Sequence, residues 1–347
     1  MTLSDRINAF SYLGNRVENF LSNRNSDSLD KDLLSLNEIV KSSSFSNGWF
    51  VENEVLRALK GTTSFLKKDK LESWTSNSAG EFDETSDAKV GIIMAGNIPL
   101  VGFHDLLSVL MSGCRAQVKL SSDDKHLIPA LMQLLDEPYP ELVEKVQFVE
   151  RLEGFDAIIA TGSNNSSRYF ESYFSKVPHI IRKNRTSVAI LSGQETQEEL
   201  TKLGKDVFYY FGLGCRNVTK IYIPENFVLD RFFEAMLPFD YVMSHNKYMN
   251  NYSYNQTLLL MKSEAILDNN FLILKEDEGF HSPIGVLFYE RYSDKSDLMN
   301  SLNENKDQIQ CVVGNEVQYG KAQYPNLNDY ADGIDTLSFL KGLKDSR

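Results

Sequence analysis

The residue best suited to covalent chemistry is Cys215, in the stretch Tyr209-Tyr210-Phe211-Gly212-Leu213-Gly214-Cys215-Arg216-Asn217. Gly212 and Gly214 hinge the turn that carries it: they admit backbone angles closed to other residues and leave room for a substrate to approach. Arg216 beside it favours the thiolate, the nucleophilic form of the side chain. The competing reading is a buried structural cysteine, since free Cys is among the most buried residue types. None of His104, His126, His179, His245 or His281 can be paired with Cys215 by spacing alone, which leaves a Cys–His hydrolase weakly supported.

A second kind of chemistry lies where apolar runs end in small or polar residues. Phe155-Asp156-Ala157-Ile158-Ile159-Ala160 runs into Thr161-Gly162-Ser163-Asn164-Asn165, a strand-to-helix turn whose N–H groups suit an anion such as a pyrophosphate. Gly212-x-Gly214 has only half of a dinucleotide fingerprint: it lacks the third glycine, a clear opening strand and an acidic residue about 20 positions on, and is discarded.

Length and composition bound these readings. A chain of 347 residues can bury a full core and makes about two domains. Its 42% hydrophobic and 24% charged residues are those of a soluble globular protein. A formal charge of −12, with no basic patch, argues against nucleic acid as a partner. Cys114, Cys215 and Cys311 are odd in number and far apart, which suggests a reducing compartment, no disulfide framework and no metal site. The N-terminal residues Met1 to Arg6 have neither a basic nor an apolar signal region, and no apolar run is long enough for a membrane span. The expected location is the cytoplasm.

The elements that must position these residues follow from periodicity. Residues 1–85 read as a helical N-terminal segment, with Ser4 and Asp5 as cap candidates before Ile7, Phe10, Leu13, Val17 and Phe20. Two further apolar series run through Leu33 to Val40 and Val51 to Leu66; this segment shows no chemistry. From Val90 strands alternate with helices: Val90 to Ala95, a helix through Leu100 to Met111, Ala116 to Leu120, and a helix capped by Ser121-Ser122-Asp123-Asp124. Short strands follow at 146–149, 155–160 and 187–191, then a helix over 198–211 leading to Cys215. Strands at 219–224 and 284–290 and helices at 227–236 and 294–304 complete the pattern, and Cys311-Val312-Val313 closes it. Residues 238–262, rich in Tyr, Met and Asn, suit either a pocket lining or an ordinary packed surface. The alternation is that of a doubly wound α/β sheet. The expected division is 1–85 helical segment, 86–210 cofactor domain and 211–347 cysteine domain.

Four separated pieces, in order, resemble the aldehyde dehydrogenase superfamily: Gly96-Asn97-Ile98-Pro99-Leu100, Val118-Lys119-Leu120-Ser121-Ser122, Thr161-Gly162-Ser163 with Arg168, and Gly214-Cys215. Within it the chain looks most like the long-chain fatty acyl-CoA reductases. The resemblance implies a doubly wound parallel-sheet cofactor lobe and a smaller α/β catalytic lobe. It makes Cys215 the nucleophile, Asn97 an oxyanion donor, and Lys119, Ser121, Ser122, Gly162 and Ser163 the cofactor contacts, with no metal. The implied partners are an acyl-CoA or other acyl-thioester substrate and, left open, a second copy of the chain or a synthetase.

The departures carry information too. Ile181 falls where oxidising members carry the glutamate that activates water, which fits an acyl group exchanged with a thiol carrier. Ser122 falls where many NAD-preferring members place an acidic residue; a neutral hydroxyl tolerates a 2′-phosphate, so NADPH is expected, with NADH still open. Near Pro283 the family's ribose-binding glutamate falls on Gly279, with Glu278 beside it, and that contact stays unassigned. The chain is shorter than most members, which puts their oligomerisation hairpin in doubt. Two alternatives remain: an acyl-phosphate or semialdehyde enzyme, for which Arg182, Lys183 and Arg185 would supply the charge, and a cofactor-binding subunit without turnover.

Overall fold

The first apolar series behaves as its spacing demands. Helix α1 (Leu3–Asn23) buries Ile7, Phe10, Leu13, Val17 and Phe20 along one face. Its cap is Thr2, not Ser4 or Asp5: the Thr2 hydroxyl accepts the Asp5 N–H at 3.2 Å, and the Asp5 carboxylate accepts the Thr2 N–H at 2.8 Å. This reciprocal pairing satisfies two donors that a helix start leaves orphaned. The computed structural model describes residues 1–26, 29–82, 86–162 and 164–345, which fall into two compact units, Met1–Lys183 with Asn326–Arg347, and Asn184–Pro325.

In the first unit α1 is followed by α2 (Lys31–Ser46), α3 (Glu52–Phe65), α4 (Lys68–Thr75) and the single turn α5 (Ala79–Phe82). The alternating part then runs β1 (Lys89–Ile93), α6 (Phe103–Met111), β2 (Arg115–Lys119), α7 (Leu127–Gln133), α8 (Pro140–Val143), β3 (Val146–Phe148), β4 (Ala157–Thr161), α9 (Asn164–Tyr173) and β5 (His179–Arg182). Among the described residues these strands form one parallel sheet in the order β3-β2-β1-β4-β5. Val90, Ile92 and Ala157 to Ala160 are buried, as a sheet covered on both faces requires. Strand order reverses direction between β1 and β4, and the carboxyl ends of strands at such a switch point frame a crevice. Arg6, fully buried, ties α1 to this core by donating to the carbonyls of Met1, Phe82 and Met111.

The second unit holds β6 (Thr186–Ile190), α10 (Gln197–Phe208), a 3-10 turn (Tyr209–Gly212), β7 (Val218–Pro224), α11 (Leu229–Met236), a 3-10 stretch (Leu237–Ser244) and α12 (Asn246–Met261). It continues through β8 (Ile266–Asp268), β9 (Ile273–Glu276), β10 (Val286–Tyr292), α13 (Lys295–Glu304) and β11 (Ile309–Val313). Its sheet has the order β11-β6-β7-β10-β9-β8, parallel apart from the antiparallel β8–β9 pair. After Pro325 the chain returns to the first unit and ends in α14 (Thr336–Asp345).

Residues 184–210 join the cysteine-bearing unit because β6 pairs with both β7 and β11. The tyrosine-rich stretch is the 3-10 stretch followed by the packed helix α12: the Tyr248 hydroxyl donates to the Phe271 carbonyl at 2.9 Å and that of Tyr252 to Asp268 at 2.7 Å, while Tyr241 and Tyr254 are exposed. Two polar hydroxyls spent inside the unit mark structural packing. The helix expected over 198–211 stops at Phe208, for a reason that lies in the candidate site.

Candidate active site

Cys215, in no disulfide and of intermediate exposure, lies between the 3-10 turn and β7. The backbone reverses sharply on its approach: Tyr210, Phe211 and Gly212 have φ of 53°, 55° and 79°. Left-handed angles come easily to glycine but cost an aromatic residue on the order of 1–3 kcal/mol, and persist only where the surroundings enforce them. Phe211 is buried and its ring stacks on His245, centroids 4.1 Å apart at 28°. Gly214, the other glycine singled out in the sequence, does not have a positive φ.

Asn217 holds this turn from inside. Its side chain is fully buried; Oδ1 accepts the Gly214 N–H at 2.8 Å, and Nδ2 faces the carbonyls of Asp206, Val207 and Tyr209 at 3.0, 3.3 and 2.8 Å. The amide thereby satisfies the last carbonyls of α10, which have no partner within the helix, and pins the residue before Cys215. The Asn217 N–H donates to the Gly214 carbonyl at 2.9 Å and closes the turn.

A second support comes from β6. The Ser187 hydroxyl donates to the Cys215 carbonyl at 3.1 Å and lies 3.1 Å from the Cys311 sulfur. Cys311 is buried, and that burial pushes its thiol pKa up, so it stays protonated and acts as a structural neighbour. Asp206, also buried, accepts the N–H groups of Gly320 and Ala322 at 2.6 and 3.0 Å, and Arg216 Nη1 donates to the Ala322 carbonyl at 3.4 Å. Burial pushes the Asp206 carboxyl up to about 7, against the downward pull of those two N–H groups.

The remaining site residues of the sequence lie in the first unit. Lys119 ends β2, and its Cα partners Ile93 at the end of β1, which in turn partners Ala160 in β4. Asn97, Lys119, Ser121, Ser122 and Gly162 therefore gather at the carboxyl edge of the sheet, beside the switch point. Asn97, Lys119 and Ser122 are exposed. The turns there are tight: a Cβ on Gly162 would lie 2.8 Å from the Phe170 ring and 2.9 Å from the Ser166 Cβ. Ser163 lies outside the described residues; α9 opens directly after it.

The basic residues considered for a phosphate or carboxylate have other partners. Arg182 is buried, pairs with Asp105 at 2.6 Å, and donates to the Thr336 hydroxyl at 2.9 Å and the Ala331 carbonyl at 2.6 Å. Lys183 pairs with Glu171 at 2.8 Å, and Arg185 donates to the carbonyls of Lys306 and Ile309. In the second unit the segment around Glu278 is clamped to β7. Lys220, fully buried, donates to the Glu278 carbonyl at 2.9 Å, the Thr219 hydroxyl donates to the Phe280 carbonyl at 2.6 Å, and the Ser282 hydroxyl to the Thr219 carbonyl at 2.8 Å. Asn217, Ser187 and the Lys220 clamp had no signature in the sequence beyond being polar residues within or beside strands. Among the described residues no group of His, Cys, Asp and Glu is arranged to hold a metal ion, and no helix is long and apolar enough to cross a membrane.

No protein-family model and no curated protein matches the sequence. Solved structures match in shape. Aldehyde dehydrogenase 21 from Physcomitrella patens, in complex with its reaction product succinate, matches with a TM-score of 0.64 at 11% identity, over 97% of this chain and 79% of that one. A Mycobacterium tuberculosis aldehyde dehydrogenase complexed with NAD+ matches with a TM-score of 0.62 at 15% identity, over 88% and 71%. A mutant of aldehyde dehydrogenase C from Pseudomonas syringae, with NAD+ and octanal, matches with 0.59 at 10% identity, over 85% and 68%. A parallel sheet with a switch point, a second sheet bearing the cysteine turn, and a helical start are thus the architecture of a known group: the protein has the aldehyde dehydrogenase fold.

Proposed function

We propose that the protein reduces a fatty acyl-CoA thioester to its aldehyde, with NADPH as reductant and Cys215 as nucleophile. The observation that carries this reading is Cys215 itself: a partly exposed cysteine, in no disulfide, on a turn fixed by Asn217 and Ser187, within an aldehyde dehydrogenase fold. A nicotinamide-dependent oxidoreductase reaction on an aldehyde or acyl group is supported by the NAD+ complexes of the M. tuberculosis and Bacillus cereus enzymes. The octanal bound by the P. syringae enzyme supports an aliphatic chain. Ile181, in β5 where a water-activating glutamate would fall, supports transfer to a thiol over hydrolysis.

The first unit fits the cofactor. A parallel sheet with a switch point between β1 and β4, and a ten-residue helix opening after Gly162, offer N–H groups and a positive helix end to a pyrophosphate. Lys119 and Ser121 would contact it at the carboxyl edge, and the neutral, exposed Ser122 favours NADPH, with NADH the alternative. In the reaction the Cys215 sulfur attacks the thioester carbonyl, and the Asn97 amide and the Cys215 N–H steady the negative oxygen. Collapse breaks the bond to the CoA sulfur, which leaves as a thiolate, and Cys215 holds the acyl group. The bound cofactor supplies hydride to the acyl carbon. Hydride addition leaves the oxyanion of a thiohemiacetal on Cys215, whose carbon–oxygen double bond re-forms as the carbon–sulfur bond breaks, freeing aldehyde and the Cys215 thiolate.

The test is loss of reduced-cofactor absorbance with NADPH and a long-chain acyl-CoA. Wild type is expected to consume NADPH and Cys215→Ala is not; equal rates would exclude the covalent route. An acyl-phosphate or semialdehyde substrate, for which the succinate complex of the P. patens enzyme speaks, needs a basic side chain for its anion, and Arg182, Lys183 and Arg185 each have another partner. A cofactor-binding subunit without turnover would show a Cys215 inert to thiol reagents at neutral pH.

A further inference from the structure

The turn that carries Asn97 is tied at both ends by residues outside it. At its far end Leu100 has φ 60°, unusual for a branched side chain, and its N–H donates to Asp124 Oδ2 at 2.8 Å. Asp124 is 6% exposed, so this carboxylate gives up hydration to make the contact. At the near end Asn47, buried at the end of α2, directs Nδ2 at the Gly96 carbonyl, 3.4 Å away, and its Oδ1 accepts the Trp49 N–H at 3.0 Å. Gly96 also abuts the turn after β2: a Cβ there would lie 2.7 Å from the Ser121 Cβ and 3.0 Å from that of Asp123. The Asp124 N–H donates to the Ser121 carbonyl at 3.2 Å, and the Met94 N–H to that of Lys119 at 3.1 Å. The left-handed residue and the buried carboxylate are both unfavourable alone, and each persists because the other is present. What the turn exposes between its two ties is Asn97.

We propose that Asp124 is a positioning residue that holds Asn97 in register with the cofactor-contacting turn Lys119–Ser122, and that Asn47 completes the clamp, giving the N-terminal helices a part in catalysis. This rests on the reading of Asn97 as an oxyanion donor in acyl transfer. Removing the Asp124 carboxylate frees Leu100 from its left-handed conformation and lets the turn relax, so the amide moves relative to the carbonyl it serves. Misplacement of a catalytic group by about 1 Å costs about 10²-fold in rate.

The experiment isolates acylation: wild type is mixed rapidly with a long-chain acyl-CoA without NADPH, and released CoA and the acyl adduct on Cys215 are followed in a single turnover. Asp124→Ala is expected to slow acylation by about 10²-fold at unchanged half-saturating acyl-CoA. Asp124→Asn, whose Oδ1 can still accept the Leu100 N–H, recovers most of the rate, a rescue that separates positioning from mere loss of packing. Acylation by Asp124→Ala at the wild-type rate, or a loss confined to half-saturation, overturns the proposal. If Asp124→Ala does not fold, Asn47→Leu decides: a several-fold slower acylation at unchanged half-saturation supports the clamp, and the wild-type rate overturns it. A wild type that releases no CoA overturns the acyl-transfer reading first, before any variant is compared.

Discussion

Asn217→Ala is the sharpest test of how the cysteine turn is built. The substitution deletes one acceptor and two N–H donors from a fully buried position. It leaves the Gly214 N–H without its partner at 2.8 Å and strips the carbonyls of Asp206, Val207 and Tyr209, of which an amide with two hydrogens serves two well. A buried polar group left unpaired costs about 1–3 kcal/mol, so three such groups cost about 3–6 kcal/mol after some relaxation. Whole-protein stability is about 5–15 kcal/mol, so the loss removes about a fifth or more of it. Urea unfolding followed by far-ultraviolet circular dichroism reads this directly; the tryptophans, Trp49 and Trp74, both belong to the first unit and report on the wrong half. Asn217→Asp sharpens the case: it keeps the acceptor for Gly214 but points a carboxylate oxygen at the helix carbonyls, so it destabilises more at pH 8 than at pH 4. A shift under about 0.5 kcal/mol for Asn217→Ala, the size of a surface substitution, refutes the account.

The buried Asp206 makes stability depend on pH. Its carboxyl titrates near 7 in the fold against 3.8 ordinarily, so its contribution is fully present below about pH 4 and is lost as pH rises through 7. With a difference of about three units, at about 1.4 kcal/mol each, the loss has an upper bound of about 4 kcal/mol. The stability difference between wild type and Asp206→Asn should therefore fall across that window in urea titrations; a flat difference would count against it. Breaking the buried Arg182–Asp105 pair with Arg182→Met should cost about 3–5 kcal/mol in the unfolding of the first unit, because Asp105 is left buried with its charge unmatched. Adding Asp105→Leu should recover most of that loss, and a double variant no more stable than the single one would refute the pairing argument.

Much of the first unit was legible because parallel strands covered on both faces must be apolar without interruption, and Val90 to Ile93 and Ala157 to Ala160 are so. The short strands β8 and β9 and the helix α12 were not, since three or four residues carry no period and the tyrosines of α12 suit a pocket as well as a packed helix. The end of α10 was misplaced by a few residues: Tyr210 and Phe211 are poor candidates for a left-handed turn on residue type, and what supports it is the Phe211 ring on His245 and the Asn217 amide on the backbone to either side. That β6 belongs with β7 and β11 was not legible either, because strand partners are remote in sequence.

By itself the sequence determined that a single thiol stands on a glycine-bearing turn after a helix, and that strand ends carrying Asn97, Lys119 and Gly162 recur in a doubly wound pattern. Those are matters of residue type and local period, which a chain displays along its length. Tertiary structure alone decided what holds these residues still: the Asn217 amide on the end of α10, Ser187 on the Cys215 carbonyl, Asp124 on Leu100. Each is a hydrogen bond whose donor and acceptor are brought within about 3 Å by folding, and an Asn, Ser or Asp in a sequence looks the same whether it makes that bond or faces water.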